Sequence, residues 1–75
     1  MKGYLVVFEG DDESGYSAYS PSLPGVVAAA ETRQETEDLM RDAMAFHIEG
    51  LREIGEPVPE PAELADVMIL DPSAA

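Results

Sequence analysis

Short apolar runs separated by polar turns occupy the first part of the chain and predict three strands. Tyr4-Leu-Val-Val-Phe8 is apolar on both sides, which is typical of a strand covered on both faces. A polar hairpin connection over residues 10–15 leads to a second predicted strand over residues 16–20. Residues 26–30 form the third, and their small alanines indicate that another element packs closely against them.

A helical period then replaces the strand pattern. Thr32 and Glu35 form a capping box, in which a hydroxyl and a carboxylate satisfy backbone donors that the first helical turn leaves unpaired. The predicted helix runs to about Ile54 and stops at Gly55. Its apolar side chains recur at helical spacing and predict one stripe that packs on the sheet. The stripe contains Met40, Ala43, Met44, His47, Leu51 and Ile54, flanked by Leu39 and Phe46.

Prolines and glycines divide the rest of the chain into segments. Pro21 cannot donate to a β-ladder and ends the second strand, and Leu23-Pro24-Gly25 fits a tight turn. Residues 57–61 read Pro-Val-Pro-Glu-Pro, a stiff, extended connector. Residues 66–70 are almost continuously apolar and predict a fourth strand. Residues 71–75 are expected to be a frayed tail.

These elements predict an α+β fold in one β-β-β-α-β domain over residues 1–70. One helix covers only one face of a four-stranded sheet, and an uncovered apolar face indicates an interaction surface. A chain of 75 residues without cysteine has no disulfide to stabilise its small core. We therefore expect a homo-oligomer, either a dimer or a tetramer.

Charge limits the possible partners. Sixteen acidic residues face four basic ones, for a formal net charge of −12, and the bases are scattered along the chain. Nucleic-acid binding requires Lys and Arg to neutralise phosphates, so no direct nucleic-acid binding is expected. A basic protein is the expected partner, although the acids are also consistent with a role in solubility alone. No apolar run approaches a membrane span and no leader segment is evident, so we expect a cytoplasmic protein without membrane contact.

No constellation of residues predicts catalysis, a metal site or a cofactor. Glu9 and Asp71 end their predicted strands and do not form the carboxylate cluster of a two-metal nuclease. The acidic run over residues 11–13 lacks the alternating ligands of a calcium loop, and His47 has no companion nucleophile or ligand. The residues proposed instead to contact a basic partner are Asp11, Asp12, Glu13, Tyr16 and Tyr19.

Three motifs in this order and spacing resemble the HicB-like family, the antitoxin halves of HicA/HicB toxin–antitoxin pairs. They are the Pro-x-Leu-Pro-Gly turn, the capped helix start and the Gly-x-Pro-x-Pro exit. The resemblance covers about four-fifths of the chain. The residues that carry the resemblance are Pro21, Leu23, Pro24, Gly25, Thr32, Glu35, Gly55, Pro57 and Pro59. The chain departs from the family pattern at Ser22, at Ala30-Glu31-Thr32 and at Thr36.

The resemblance implies a four-stranded mixed sheet with a truncated ribonuclease-H-like topology, in which the fourth strand lies parallel to the first. It also implies a protein that binds and occludes a small basic mRNA-cleaving toxin of HicA type, or an orphan relative of one. Only five residues follow Leu70, so we expect no DNA-binding domain and no operator binding. The alternatives are a stand-alone acidic adaptor or nucleic-acid mimic and, third, a residual metal-dependent nuclease.

Overall fold

The computed structural model of this chain describes residues 3–61 and 66–74. Within these ranges three strands, β1 (Val7–Asp11), β2 (Gly15–Tyr19) and β3 (Val27–Ala30), form an antiparallel sheet in the order β1-β2-β3. Helix α1 (Arg33–Glu53) packs on one face of this sheet, and a 3₁₀ turn covers Pro72–Ala74. The predicted α+β class and the β-β-β-α order are confirmed.

Small side chains let the helix approach the sheet. Phe8, Ala18 and Ala28 lie side by side in the strand register, and all three contribute to the hydrophobic core. Ala18 is 2% exposed and packs in one cluster with Leu23 and Met40. The expectation that another element packs closely against the alanines is therefore confirmed, since that element is α1.

Both ends of α1 are capped by local hydrogen bonds. Thr32 is the N-cap, and its Oγ1 accepts the Glu35 backbone N–H at 3.1 Å while donating to the Glu35 carboxylate at 2.8 Å. At the other end, the Glu56 N–H donates to the Leu51 carbonyl at 2.9 Å. The Gly55 N–H donates to the Arg52 carbonyl at 3.2 Å. This pair of bonds is a Schellman motif, which ends the helix at the predicted glycine.

The first strand begins later than the sequence suggests. Residues 4–6 are not part of β1; instead, Ser20 Oγ donates to the Leu5 carbonyl at 2.6 Å. Leu5 N–H in turn donates to Ser22 Oγ at 3.4 Å. The β1–β2 ladder cannot continue here because β2 ends at Tyr19, two residues before Pro21. The hydroxyls of Ser20 and Ser22 therefore satisfy the backbone carbonyl and N–H of Leu5.

The predicted four-stranded mixed sheet is wrong for the part of the chain that the structure describes. Residues 66–70 are not assigned to a strand and pair with none of the three strands, and their side chains are exposed, up to 93% for Ile69. The ribonuclease-H-like topology, which needs that fourth strand beside β1, is not found in this antiparallel sheet. The apolar composition of residues 66–70 favours an extended backbone, but it does not specify a strand with which they pair.

The apolar stripe of α1 is only partly buried. Met40 is 1% exposed, whereas Phe46 and Ile54 are 79% and 72% exposed. The helix has 21 residues and a length of about 32 Å, while five-residue strands span about 17 Å. Burial of α1 is therefore deepest at Met40, while Ile48 still packs on the core and Phe46 and Ile54 remain largely exposed.

Replacing Met40 by alanine tests this distribution of burial. We expect Met40→Ala to lower the free energy of unfolding by about 2–5 kcal/mol, because it opens a cavity in the core. Leu39→Ala, at the neighbouring position that is 49% exposed, is the matched control and should cost under about 1 kcal/mol. Urea unfolding followed by circular dichroism measures both, and equal losses would contradict the assignment of the core.

Candidate partner-binding surface

The β1–β2 turn is built by two glycines and one aspartate. Gly10 and Gly15 have φ values of 125° and 86°, a region that favours glycine, and a Cβ at Gly10 would lie 2.1 Å from the Gly15 carbonyl oxygen. Between them, Asp11 Oδ1 accepts the Ser14 N–H and Oγ–H at 2.8 Å and the Glu13 N–H at 3.0 Å. These bonds hold the pKa of the Asp11 carboxyl below its usual value, the Ser14 N–H contributing most.

This turn forms one wall of an open depression of about 830 Å³ at the hairpin end of the sheet. The end of β3 forms the opposite wall and contributes Ala30 and Glu31. Four carboxylates line the depression, namely Glu9, Asp12, Glu13 and Glu31. We call this set the acidic end.

Tyr16 fixes one of these carboxylates. Its hydroxyl donates to Asp12 Oδ1 at 2.8 Å, which raises the pKa of Tyr16 because the bond and the nearby carboxylates disfavour the phenolate. The acidic end thus presents an aromatic ring beside several carboxylates, a combination suited to a lysine or arginine side chain.

Positive charge lies elsewhere on the described chain. Arg33 and Arg41 both pair with Glu37 on α1, the latter at 3.0 Å, and these are the ion pairs found among residues 3–61 and 66–74. The Arg33 bond and then the Arg41 bond lower the pKa of the Glu37 carboxyl. Arg33 also lies over the Phe8 ring, 3.7 Å from its centroid. Two of the four basic residues therefore neutralise a helix carboxylate and not the acidic end.

The sheet face opposite α1, which we call the open face, changes in character along the strands. Val7, Tyr19 and Val27 form one row across it, with Tyr19 43% and Val27 70% exposed. The next row toward the hairpin is Glu9, Ser17 and Ala29. The open face is therefore apolar at one end and merges with the acidic end at the other.

The structure gathers most, but not all, of the residues proposed for partner contact. Asp11, Asp12, Glu13 and Tyr16 lie together at the hairpin end, whereas Tyr19 lies at the opposite end of β2, on the open face. Sequence reasoning missed Glu9 and Glu31 as members of the acidic end. The sequence placed Glu9 after the first strand, whereas it is the central residue of β1, and Glu31 directly follows β3. Their approach to the turn becomes evident only once the strand register is known.

No group of three or more potential metal ligands is found within the described ranges. His47 is half-buried on α1, distant in sequence from the carboxylates of the acidic end. Among the same residues, no helix combines the length and the apolar character that crossing a bilayer requires.

Comparison of the sequence with protein families defines the class to which this chain belongs. The family model described as the HicB_like antitoxin of bacterial toxin-antitoxin systems matches residues 4–73, nearly the whole chain. The chain therefore belongs to the HicB-like antitoxin family, and the resemblance identified from the sequence motifs is confirmed. A search of curated proteins finds no match.

The Asp11 turn predicts a specific pH dependence. Because folding lowers the pKa of Asp11, its carboxylate contributes stability above the ordinary aspartate pKa and loses that contribution as pH falls through the folded-state value. We expect Asp11→Asn to be less stable than the natural protein near pH 7, and the difference to shrink toward about pH 2. Urea unfolding across this range measures it.

Asp42→Asn is the control, since it removes a carboxylate from the exposed surface of α1. A stability difference for Asp11→Asn that stayed constant with pH would show that its carboxylate does not organise the turn.

Proposed function

We propose that this chain is an antitoxin that binds a small, basic, RNA-cleaving toxin of HicA type and blocks its active surface. Membership of the HicB-like antitoxin family supports this proposal. The strongest structural support for the proposal is that four carboxylates surround one depression, in a chain with a net charge of −12. The contact requires no chemistry from the antitoxin, so it needs no catalytic residue or cofactor.

Electrostatics gives the acidic end its role. Complementary charge accelerates the encounter of two proteins and orients them, with an effect that weakens as salt increases. Lysines and arginines that bind RNA phosphates on a toxin have the right charge to enter the depression beside Tyr16. An antitoxin that occupies those side chains competes directly with the RNA substrate.

The open face supplies the apolar part of the same contact. Tyr19 and Val27 present exposed apolar surface next to Glu9, so a partner spanning both rows buries hydrophobic area while pairing its charges. Buried apolar area sustains a complex once salt has screened the charges. We therefore propose that Tyr19 contacts the partner through the apolar row of the open face. Asp12 and Glu13 contact it in the acidic end, and Asp11 and Tyr16 contact it at the same hairpin end of the sheet.

Co-expression with the short Lys/Arg-rich product of the adjacent reading frame tests the proposal. We expect the chain to relieve growth arrest by that product and to form a complex with it whose association rate falls with salt. Absence of both effects would contradict the antitoxin role. Turnover of an RNA–DNA hybrid with Mg²⁺ that is lost in Glu9→Gln would instead favour the nuclease alternative, and capture of a larger nucleic-acid-binding protein would favour the mimic.

Two triple variants with the same change in charge locate the contact. Glu9→Gln/Glu13→Gln/Glu31→Gln removes three of the four carboxylates of the acidic end, and we expect it to slow association with the toxin at least about tenfold at low salt. Glu49→Gln/Glu53→Gln/Glu56→Gln, at the C-terminal end of α1, is the control and should slow association far less. Surface plasmon resonance measures both, and equal effects would mean that net charge alone, not the acidic end, attracts the toxin.

A further inference from the structure

β3 lies at one edge of the sheet. It pairs with β2, and no second strand lies beside it in the part of the chain that the structure describes. Ala28 faces the core under α1, whereas Val27, which is 70% exposed, and Ala29 face outward. The connector after α1 approaches the other side of the sheet, because Tyr4, just before β1, donates through its Oη to the Pro59 carbonyl at 2.5 Å.

The strand register shows which backbone groups of β3 are open to pairing. The Ala30 carbonyl oxygen points toward β2, since it lies 3.0 Å from the position that a Cβ on Gly15 would occupy. Residues of an antiparallel strand direct both backbone groups alternately toward and away from a given neighbour. Ala28 therefore also bonds to β2, while the N–H and C=O of Val27 and Ala29 point away from it. We call these outward groups the β3 edge.

The β3 edge lacks the features by which proteins usually protect an edge strand. The sequence of β3 is Val-Ala-Ala-Ala, without a charged side chain or a proline, and its register with β2 runs without a bulge. An edge of this kind is a template for a strand from another protein. The small alanines leave room for long side chains on a strand that pairs with them.

Charge selects what can occupy the β3 edge. Ala30 and Glu31 form a wall of the acidic end, so a strand that pairs with β3 runs directly toward that depression. A lysine or arginine on the strand can pair with Glu31 while the backbone bonds to Val27 and Ala29. A strand from a second copy is disfavoured, because each copy carries a net charge of −12.

From these observations we infer that the basic toxin adds a strand of its own to the β3 edge, so that the antiparallel sheet continues from one protein into the other. This inference rests on the proposed function and states how the toxin backbone is held while its cations enter the acidic end. In strand addition, main-chain hydrogen bonds supply affinity and side chains supply specificity. The toxin side chains that alternate along the strand contact the open face on one side of the sheet.

Amide exchange resolved by NMR tests the predicted alternation along β3. In the chain alone, we expect the Ala28 and Ala30 amides to exchange slowly and the Val27 and Ala29 amides to exchange rapidly. Saturation with the Lys/Arg-rich product of the adjacent reading frame should slow the Val27 and Ala29 amides at least about 100-fold, since they become hydrogen-bonded.

The outcomes separate this inference from the proposed function. A product that binds and is neutralised while the Val27 and Ala29 amides still exchange rapidly would overturn strand addition and leave the antitoxin role intact. Failure of the product to bind at all would overturn both.

Two substitutions at one position provide an independent test. Ala29→Pro removes an outward N–H and leaves the bonds between β2 and β3 in place, as edge strands allow. We expect it to raise the dissociation constant for the same product about tenfold, because one backbone hydrogen bond is lost. Ala29→Val adds similar volume but keeps the N–H, and it should bind like the natural protein.

Equal affinities of the Ala29→Pro and Ala29→Val variants would overturn the inference. Circular dichroism checks that each variant folds. If Ala29→Pro does not fold, amide exchange of the natural protein decides the question by itself.

Discussion

The structure depends on the packing of one helix against one face of a narrow sheet. Ala18 and Ala28 keep that face flat enough for Met40 to reach the core, and Leu23 closes the cluster from the turn after β2. Within residues 3–61 and 66–74 that helix covers one face, so Tyr19 and Val27 on the opposite face and Phe46 and Ile54 on α1 remain exposed. The exposed apolar side chains of the described residues follow directly from this limit on what 75 residues can bury.

The uncovered surfaces differ in charge because the few cations are placed selectively. Glu37 receives two arginines on the helix, whereas the acidic end gathers carboxylates around Tyr16. The open face thus runs from the apolar row of Val7, Tyr19 and Val27 toward the acidic end. A mainly apolar groove lies between β1 and α1, with Glu37 and Arg41 at its rim. The acidic end suits a basic partner, whereas the groove presents mainly apolar surface.

Local signals in the sequence predicted the elements well, and tertiary relations poorly. The Thr32 cap, the Gly55 stop and the alanine-rich third strand each depend on neighbours in the chain, and each was found. The prediction of a fourth strand over residues 66–70 was wrong because composition specifies an extended backbone but not its pairing partner. The acidic end was predicted only in part, since Glu9 and Glu31 approach the hairpin turn through strand register, which no local pattern reveals.

Amide hydrogen exchange tests whether the acidic end and the open face form the binding surface. It is measured on the chain alone and on the chain saturated with the proposed toxin. We expect slower exchange at residues 9–17 and 27–31 in the complex, with little change along the exposed side of α1. Protection confined to the helix, or no protection in either strand region, would contradict it.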